Sequence, residues 1–311
     1  MEMRLLEYAL EVYRQKNFTR AASRLHIAQP SLSKQIAKLE QDLGVSLFYR
    51  GHGAIEPTPD GVRFVEQAEK ILQMRDDLER EMHERKEGVG GDLIIGTTAI
   101  TGGHVLPPLL QAYNAQYPHV RIHLVEEATE KLKELTARGL IDVSILSLPV
   151  EDTRLTTKTM LTEPLYLALP RTLKPWMSKT LQDFISSPTS LNLEYVSIRS
   201  LINQPFILLK KGFGFRRTVL ELCENSGFQP QVTFETSNIE TAQSLVTNGL
   251  GVTIVPNMVL RQNPERNLLY VKLDSNPTRT LVFAYNRERY LSIATKTLIM
   301  VHEKQEERTH D

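Results

Sequence analysis

Ala21-Ala22-Ser23-Arg24-Leu25-His26-Ile27-Ala28-Gln29-Pro30-Ser31-Leu32-Ser33-Lys34-Gln35-Ile36-Ala37-Lys38-Leu39-Glu40 decides the fold of the first part of this chain. Apolar residues recur at helical spacing on both sides of a break, as Ala21, Ala22 and Leu25 and then as Leu32, Ile36 and Leu39. The break is Gln29-Pro30-Ser31, where proline suits the first turn of a helix because its missing N–H would have no partner there. Small alanines stand where the two helices would cross, so the pattern predicts two short helices joined by a tight turn, the second presented outward. Upstream, Leu5, Leu6, Ala9, Leu10 and Tyr13 predict another helix, and Thr19 is read as the N-cap of the one that follows it. Downstream, Gly44 ends the third helix. Leu47-Phe48-Tyr49-Arg50 and Ile55-Glu56-Pro57-Thr58 then flank Gly51-His52-Gly53 as a small two-stranded wing.

The outward helix carries Gln29, Ser31, Ser33, Lys34 and Gln35 on its N-terminal face, donors and acceptors suited to base edges and phosphates in a major groove. Lys38 and Arg50 are placed to reach the phosphate backbone, which fixes register and supplies salt-sensitive affinity. The whole chain is neutral, with 37 cationic and 37 acidic residues. Charge is nonetheless uneven. Between Arg14 and Arg50 stand Arg14, Lys16, Arg20, Arg24, Lys34, Lys38 and Arg50 against only Glu40 and Asp42. Charge alone fits a solvated face; the helical spacing turns it towards nucleic acid.

These residues resemble the LysR-type transcriptional regulators. The match runs through Phe18-Thr19-Arg20-Ala21-Ala22, Leu25, Gln29-Pro30-Ser31-Leu32-Ser33-Lys34-Gln35-Ile36, Leu39-Glu40, Leu43-Gly44, Leu47-Phe48, Arg50 and Thr58-Pro59-Asp60-Gly61. Ala28 departs from it, standing where the family often has serine. The rest of the chain is similar in layout, including Val246-Thr247-Asn248-Gly249-Leu250-Gly251-Val252 followed by Pro256. The resemblance implies an all-α winged helix-turn-helix, a long linker helix and a two-lobed α/β effector domain like those of periplasmic binding proteins. It adds Thr19, Arg20, Pro30 and Thr58 to the DNA-contacting candidates. The implied partners are double-stranded DNA, a small-molecule effector, further copies of the chain as a dimer or dimer of dimers, and RNA polymerase if it activates. Neither enzyme activity nor a cofactor beyond the effector is implied.

The capping pattern Thr58-Pro59-Asp60-Gly61 opens a helix that continues to about Lys86 without further proline or glycine. Phe64, Ala68, Ile71, Leu78 and Met82 repeat at four- and three-residue steps, with Arg75 in the vacant seam position, so two such helices could pair as a short coiled coil. The alternative is a helix lying on its own domain. Flanking i,i+4 charge pairs, Glu66/Lys70, Asp76/Arg80 and Glu81/Arg85, leave little apolar width beyond the seam and favour pairing.

Gly88-Val89-Gly90-Gly91 breaks the chain, and strands then alternate with helices, which predicts a parallel sheet covered by helices. Strands are expected at Leu93–Gly96, Val120–Val125 and Val143–Leu146, with helices at Val105–Tyr117 and Lys131–Arg138. Leu165–Pro170 reads as a strand leaving this lobe. The pattern repeats through Phe206–Leu209, Phe215–Asn225, Val232–Phe234, Ile239–Thr247 and Val252–Val255. Thr280–Tyr285 and Ser292–Glu303 close the fold. The expected boundaries are 1–58 for the winged domain, 59–91 for linker and hinge, and 92–303 for the effector domain. Its lobe I takes about 92–164 and 271–303, and lobe II about 165–270. Residues 178–200, around Ser186-Ser187-Pro188-Thr189-Ser190, read as an insertion loop, and 304–311 as a disordered tail.

Three helix starts predict an effector site. Thr98, Ile100 and Thr101 lie in Thr97-Thr98-Ala99-Ile100-Thr101-Gly102-Gly103, Thr129 is read as capping the next helix, and Phe213 and Gly214 open a helix in the opposite lobe. Free N–H groups and the helix dipole at such starts attract an anion or carboxylate. Each alone fits ordinary capping; together, with the family layout, they favour a ligand cleft. Other chemistry is weak: Gly212-Phe213-Gly214 lacks a dinucleotide fingerprint, and His104, His119 and His123 lack metal-ligand spacing. A single cysteine, Cys223, is expected to be core filler and cannot form an internal peroxide-sensing pair. The start lacks a secretory pattern and no run approaches a membrane span, so a cytoplasmic protein without a membrane partner is expected. Two alternatives without a DNA role are a cytoplasmic small-molecule-binding protein and a cleft enzyme; no acid, base or nucleophile spacing supports the latter.

Overall fold

The computed structural model describes residues 1–49, 55–87, 89–186, 195–262 and 268–310. Arg50, the predicted turn Gly51-His52-Gly53, Gly88 and the middle of the predicted insertion lie outside the described residues. The chain divides into two compact units, Met1–Lys86 and Glu87–Asp311, each with its own core.

The first unit runs α1 (Met3–Gln15), α2 (Phe18–Arg24), α3 (Gln29–Leu43), β1 (Phe48–Tyr49), β2 (Glu56–Pro57) and α4 (Pro59–Glu87). Leu5, Ala9 and Val12 of α1, Ala21 and Ala22 of α2, and Leu32, Ile36 and Leu39 of α3 bury their predicted stripes together against Leu47 and Phe48. Strands β1 and β2 pair antiparallel, Phe48 opposite Pro57. Gly44 ends α3 in the left-handed conformation, φ 71°, where a side chain would be strained. The cap of α2 differs from expectation. Asn17, extended just before the helix, accepts the Arg20 N–H at 3.0 Å, whereas Thr19 lies inside the first turn. Helix α3 begins after Ala28 with no side-chain cap, the consequence of the missing serine.

The predicted seam on α4 splits in two. Phe64, Ala68 and Ile71, with Val65 and Leu72, pack on Leu6 and Leu10 of α1, Phe64 and Ile71 only partly buried there. Ion pairs Arg75–Glu7 at 2.6 Å and Arg14–Glu69 at 3.1 Å flank that contact. Leu78 and Met82 are exposed, together with Met74.

The second unit opens with β3 (Gly91–Thr97), α5 (Ala99–Gln116), β4 (Val120–Glu126), α6 (Thr129–Ala137), β5 (Val143–Ser147) and β6 (Leu155–Pro170). It continues with α7 (Lys179–Ser186), β7 (Tyr195–Val196), β8 (Pro205–Leu209), α8 (Gly214–Asn225), β9 (Gln231–Thr236) and α9 (Ile239–Thr247). Strands β10 (Thr253–Pro256), β11 (Leu268–Leu273) and β12 (Thr278–Asn286) and helix α10 (Ile293–His310) complete it. The main sheet has the order β4-β3-β5-β12-β6-β11-β7, with β10 also beside β6, while β8 and β9 pair separately. Strands β3, β4 and β5 are parallel as expected, but β12 runs antiparallel to β5 and β6, and β10 and β11 antiparallel to β6. The sheet is therefore mixed, because β12 returns from the far lobe to close the first one.

Strand β6 begins ten residues before the predicted strand. Its first part pairs with β12 as far as Pro164, and Leu165–Pro170 pairs with β10 and β11, so one strand crosses both lobes. The early part was hidden by its polar, threonine-rich composition. Helix α5 likewise starts at Ala99, six residues early, and carries Pro107 and Pro108 inside it, as the predicted span also did; its added first turns include Gly102 and Gly103, poor helix formers. Much of the predicted insertion loop is ordered: Leu181 and Phe184 of α7 and Ile198 and Leu201 of a short 3-10 turn (Ile198–Leu201) enter the lobe II core. The expected disordered tail is instead a continuation of α10 as far as His310. No helix among the described residues is long and apolar enough to cross a membrane.

Candidate functional site

Burying Leu32, Ile36 and Leu39 turns the opposite side of α3 outward. Gln29, Pro30, Ser31, Lys34 and Lys38 are exposed, and Ser33 and Gln35 are half-buried beside them. Thr19 and Arg20 are exposed on α2. Among the described residues Arg20, Arg24, Lys34 and Lys38 enter no ion pair, so their charge is available to phosphates. The acidic residue nearest in sequence, Glu40, is turned to structural use: its Oε1 accepts the N–H groups of Leu47, at 2.8 Å, and Phe48, at 3.2 Å. Thr58 is not on this face. It is buried, donates to the Ser46 carbonyl at 2.6 Å and accepts the Gly61 N–H at 2.9 Å, so its hydroxyl is spent on capping α4.

In the second unit a cleft of about 500 Å³, counting the open solvent at its mouth, lies between the lobes. All six predicted residues line it: Thr98, Ile100 and Thr101 from the start of α5, Thr129 from α6, and Phe213 and Gly214 at the start of α8. The reason is local: each βα turn ends on the same edge of its sheet, where the two lobes face each other. Thr129 does not cap α6; Ala128 holds that position without a side-chain bond. Its hydroxyl reaches across instead and accepts the Gly214 N–H at 2.9 Å. Glu130 N–H donates to the Gly212 carbonyl at 3.2 Å, and Arg217 pairs with Glu151 at 2.7 Å, so three contacts tie the lobes on that side. The starts of α6 and α8 are thus partly engaged with one another. The first-turn N–H groups of Ala99, Ile100 and Thr101 have no acceptor among the described residues.

Two charged residues at the cleft escaped the sequence reading. Arg279 of β12 lines it, and its side chain is only 2% exposed. It faces its cross-strand partner Glu163, itself 7% exposed, with Nε donating to Oε1 at 2.8 Å. The other carboxylate oxygen accepts the Met258 N–H at 2.8 Å, and the guanidinium carbon lies 5.0 Å from the centre of the Phe215 ring. Burial pulls the guanidinium below its usual value while Glu163 opposes that shift. The signal was present in the period-two pattern: Arg279 alternates with buried Leu281 and Phe283, and Glu163 with buried Leu165 and Leu167.

Cys223 is fully buried in the lobe II core, and burial pushes its thiol up to about 12, leaving no thiolate at neutral pH. His123 contacts Asp92 at the surface, and Arg121 and then His123 hold that carboxyl well below the usual carboxylate range. Among the described residues no cluster of three or more His, Cys, Asp or Glu side chains is arranged to hold a metal.

Both units match known proteins. Residues 3–62 match the bacterial regulatory helix-turn-helix protein, lysR family, and residues 86–304 match the LysR substrate binding domain. The chain is 49% identical to the uncharacterized HTH-type transcriptional regulator YcgK of Bacillus subtilis, with 100% of this chain and 97% of that one covered. It is 28% identical to the DNA-binding transcriptional dual regulator OxyR of Escherichia coli, covering 94% of each. Among solved structures, a full-length OxyR variant from Pseudomonas aeruginosa superposes with a TM-score of 0.67 at 27% identity, covering 98% of this chain and 94% of that one. Full-length CbnR complexed with its target DNA shares the fold, with a TM-score of 0.65 at 22% identity, covering 98% and 99%.

Proposed function

Because the chain belongs to the LysR family of bacterial transcriptional regulators, a DNA-binding regulator with an effector-binding domain, we infer that a small anionic effector in the inter-lobe cleft sets its activity on DNA. The observation that carries this reading is the convergence of Thr98, Ile100, Thr101, Thr129, Phe213 and Gly214, from opposite lobes, on one cleft. An effector acts only through its differential affinity for two lobe arrangements, and the cross-lobe contacts of Thr129 and Arg217 are those such a change would remake. The regulator works as a dimer or dimer of dimers, with Leu78 and Met82, the exposed part of the predicted seam on α4, and exposed Met74 beside them available to a second copy. Consecutive half-sites then lie about 34 Å apart or at multiples of that spacing. Where it activates, RNA polymerase is a further partner.

The DNA face is tested by substitution. Gln29→Ala and Ser33→Ala each relax site preference, by about 1–3 kcal/mol of discrimination at one base pair, while Lys34→Ala weakens binding to all sequences and reduces the salt slope by about 1. Quantitative footprinting across salt concentrations reads both effects; unchanged footprints in all three variants would refute the orientation of α3. The cleft is tested by thermal-shift screening of amino acids, aromatic acids and small carboxylates. A ligand at 100 times its Kd raises stability by about 2.7 kcal/mol. Protection that survives Ile100→Trp, which fills the cleft, places the ligand elsewhere.

A further inference from the structure

The guanidinium of Arg279 is incompletely used. Nε and Nη2 serve Glu163, and Nη2 also lies 3.3 Å from the Met258 sulfur. Nη1 has no hydrogen-bond acceptor among the described residues. Every fully buried side-chain nitrogen or oxygen among those residues does have a partner, so Nη1 keeps contact with open space. The space Arg279 lines is the cleft. A charged side chain almost wholly removed from water thus holds spare N–H donors towards the cavity whose rim includes the unsatisfied first turn of α5.

We propose that Nη1 of Arg279, with the first-turn N–H groups of α5, is the receptor for a single carboxylate of the effector, and that Arg279 is the residue that sets this specificity. The proposal rests on the reading of the cleft as the effector site. Charge limits the ligand to a monoanion. Glu163 already neutralises Arg279, so the cavity's remaining positive character comes from a helix start worth roughly half a charge and from the exposed edge of the guanidinium. A second negative charge, as on a phosphate monoester, would lie against the Glu163 carboxylate without compensation. The rest of the wall is largely apolar, with Ile100, Ile145, Leu209, Phe213, Phe215 and Ile239, which suits a monocarboxylic acid with a hydrocarbon body. Glu163 is a positioning residue: two donors held on one carboxylate oxygen fix the guanidinium plane and leave Nη1 on the open side.

The pair also lies where β6 passes from β12 to β10 and β11, with Phe215 and Met258 of the other lobe on the guanidinium and the Glu163 carboxylate respectively. A carboxylate on Nη1 therefore binds at the strand that joins the lobes.

The test uses sodium acetate, small enough for any cleft that admits a carboxylate, titrated against the full-length protein by thermal shift and compared with sodium chloride at equal ionic strength and with acetamide. The expected result is a saturable stabilisation by acetate alone, with the apparent Kd weakened about tenfold or more in the double variant Glu163→Leu/Arg279→Met, which folds without an unpaired charge. Arg279→Lys, keeping charge but losing the planar fork, should fall between the two. An acetate effect no larger than that of chloride, or one unchanged in the double variant, overturns the proposal. If acetate is inert while a neutral compound protects the wild type and not Ile100→Trp, the cleft stands as the effector site and the carboxylate assignment alone falls. If acetate protects Ile100→Trp equally, both fail.

Discussion

Replacing Glu163 by leucine while Arg279 is retained is expected to destabilise the effector-binding unit by about 3–5 kcal/mol. The two side chains are 7% and 2% exposed, and the carboxylate supplies the guanidinium with its only counter-charge among the described residues. Removing it leaves a desolvated cation that neither the Phe215 ring nor the Met258 sulfur can balance. A cation over an aromatic face contributes about 2 kcal/mol or somewhat more when dry, less than the loss of the counter-charge costs. For a unit of this size each kcal/mol moves the melting temperature by roughly 2–4 °C, so the transition of Glu163→Leu should fall by about 6–20 °C. Glu163→Leu/Arg279→Met should recover most of that loss, because a matched apolar pair is often as stable as a buried ion pair. Calorimetry on the three proteins decides the matter. A single variant melting within a degree or two of the wild type would mean that water reaches the guanidinium and that the pair is not buried as the structure has it.

The DNA-reading unit was legible because its chemistry and its packing use different faces of one helix. Leu32, Ile36 and Leu39 mark the inside of α3, and everything between them is left to face outward. The cleft was legible for a related reason: Thr98, Thr129 and Gly214 sit at helix starts, and α/β folds bring such starts to one edge. Glu163 and Arg279 were only faintly legible: they keep step with buried Leu165 and Leu281, but charge in a strand reads as solvent-facing until its cross-strand partner is known, and theirs is 116 residues away. The α4 seam was ambiguous for another reason. Residues spaced to pair with a second helix are equally spaced to lie on α1, and Phe64, Ala68 and Ile71 took the nearer surface while Leu78 and Met82, beyond its reach, stayed open. Thr58 shows the limit of motif transfer: a residue belonging to the resemblance can owe its place to a helix cap and touch nothing outside.

Hollowing the winged domain beneath its reading face should separate folding from chemistry. Ile36 is wholly buried on α3, two residues or about half a turn from each of Lys34 and Lys38, and packs in the core shared with α1, α2, Leu47 and Phe48. Ile36→Ala is expected to destabilise this unit by about 2–5 kcal/mol, the range for deleting a large aliphatic side chain from a rigid core. With only ten buried residues in this cluster and five in the one beneath α4, the loss is large against the whole stability of a unit this small. Specific DNA binding should disappear as temperature passes the lowered transition and return on cooling, with the salt slope of the remaining folded protein unchanged, because every phosphate contact is still in place. Lys34→Ala should show the reverse, a reduced slope with an unshifted transition. The effector-binding unit has its own cores, so its melting should move by no more than about 0.5 kcal/mol in either variant. An equal shift of both transitions in Ile36→Ala would show that the two units fold as one cooperative body despite their separate cores.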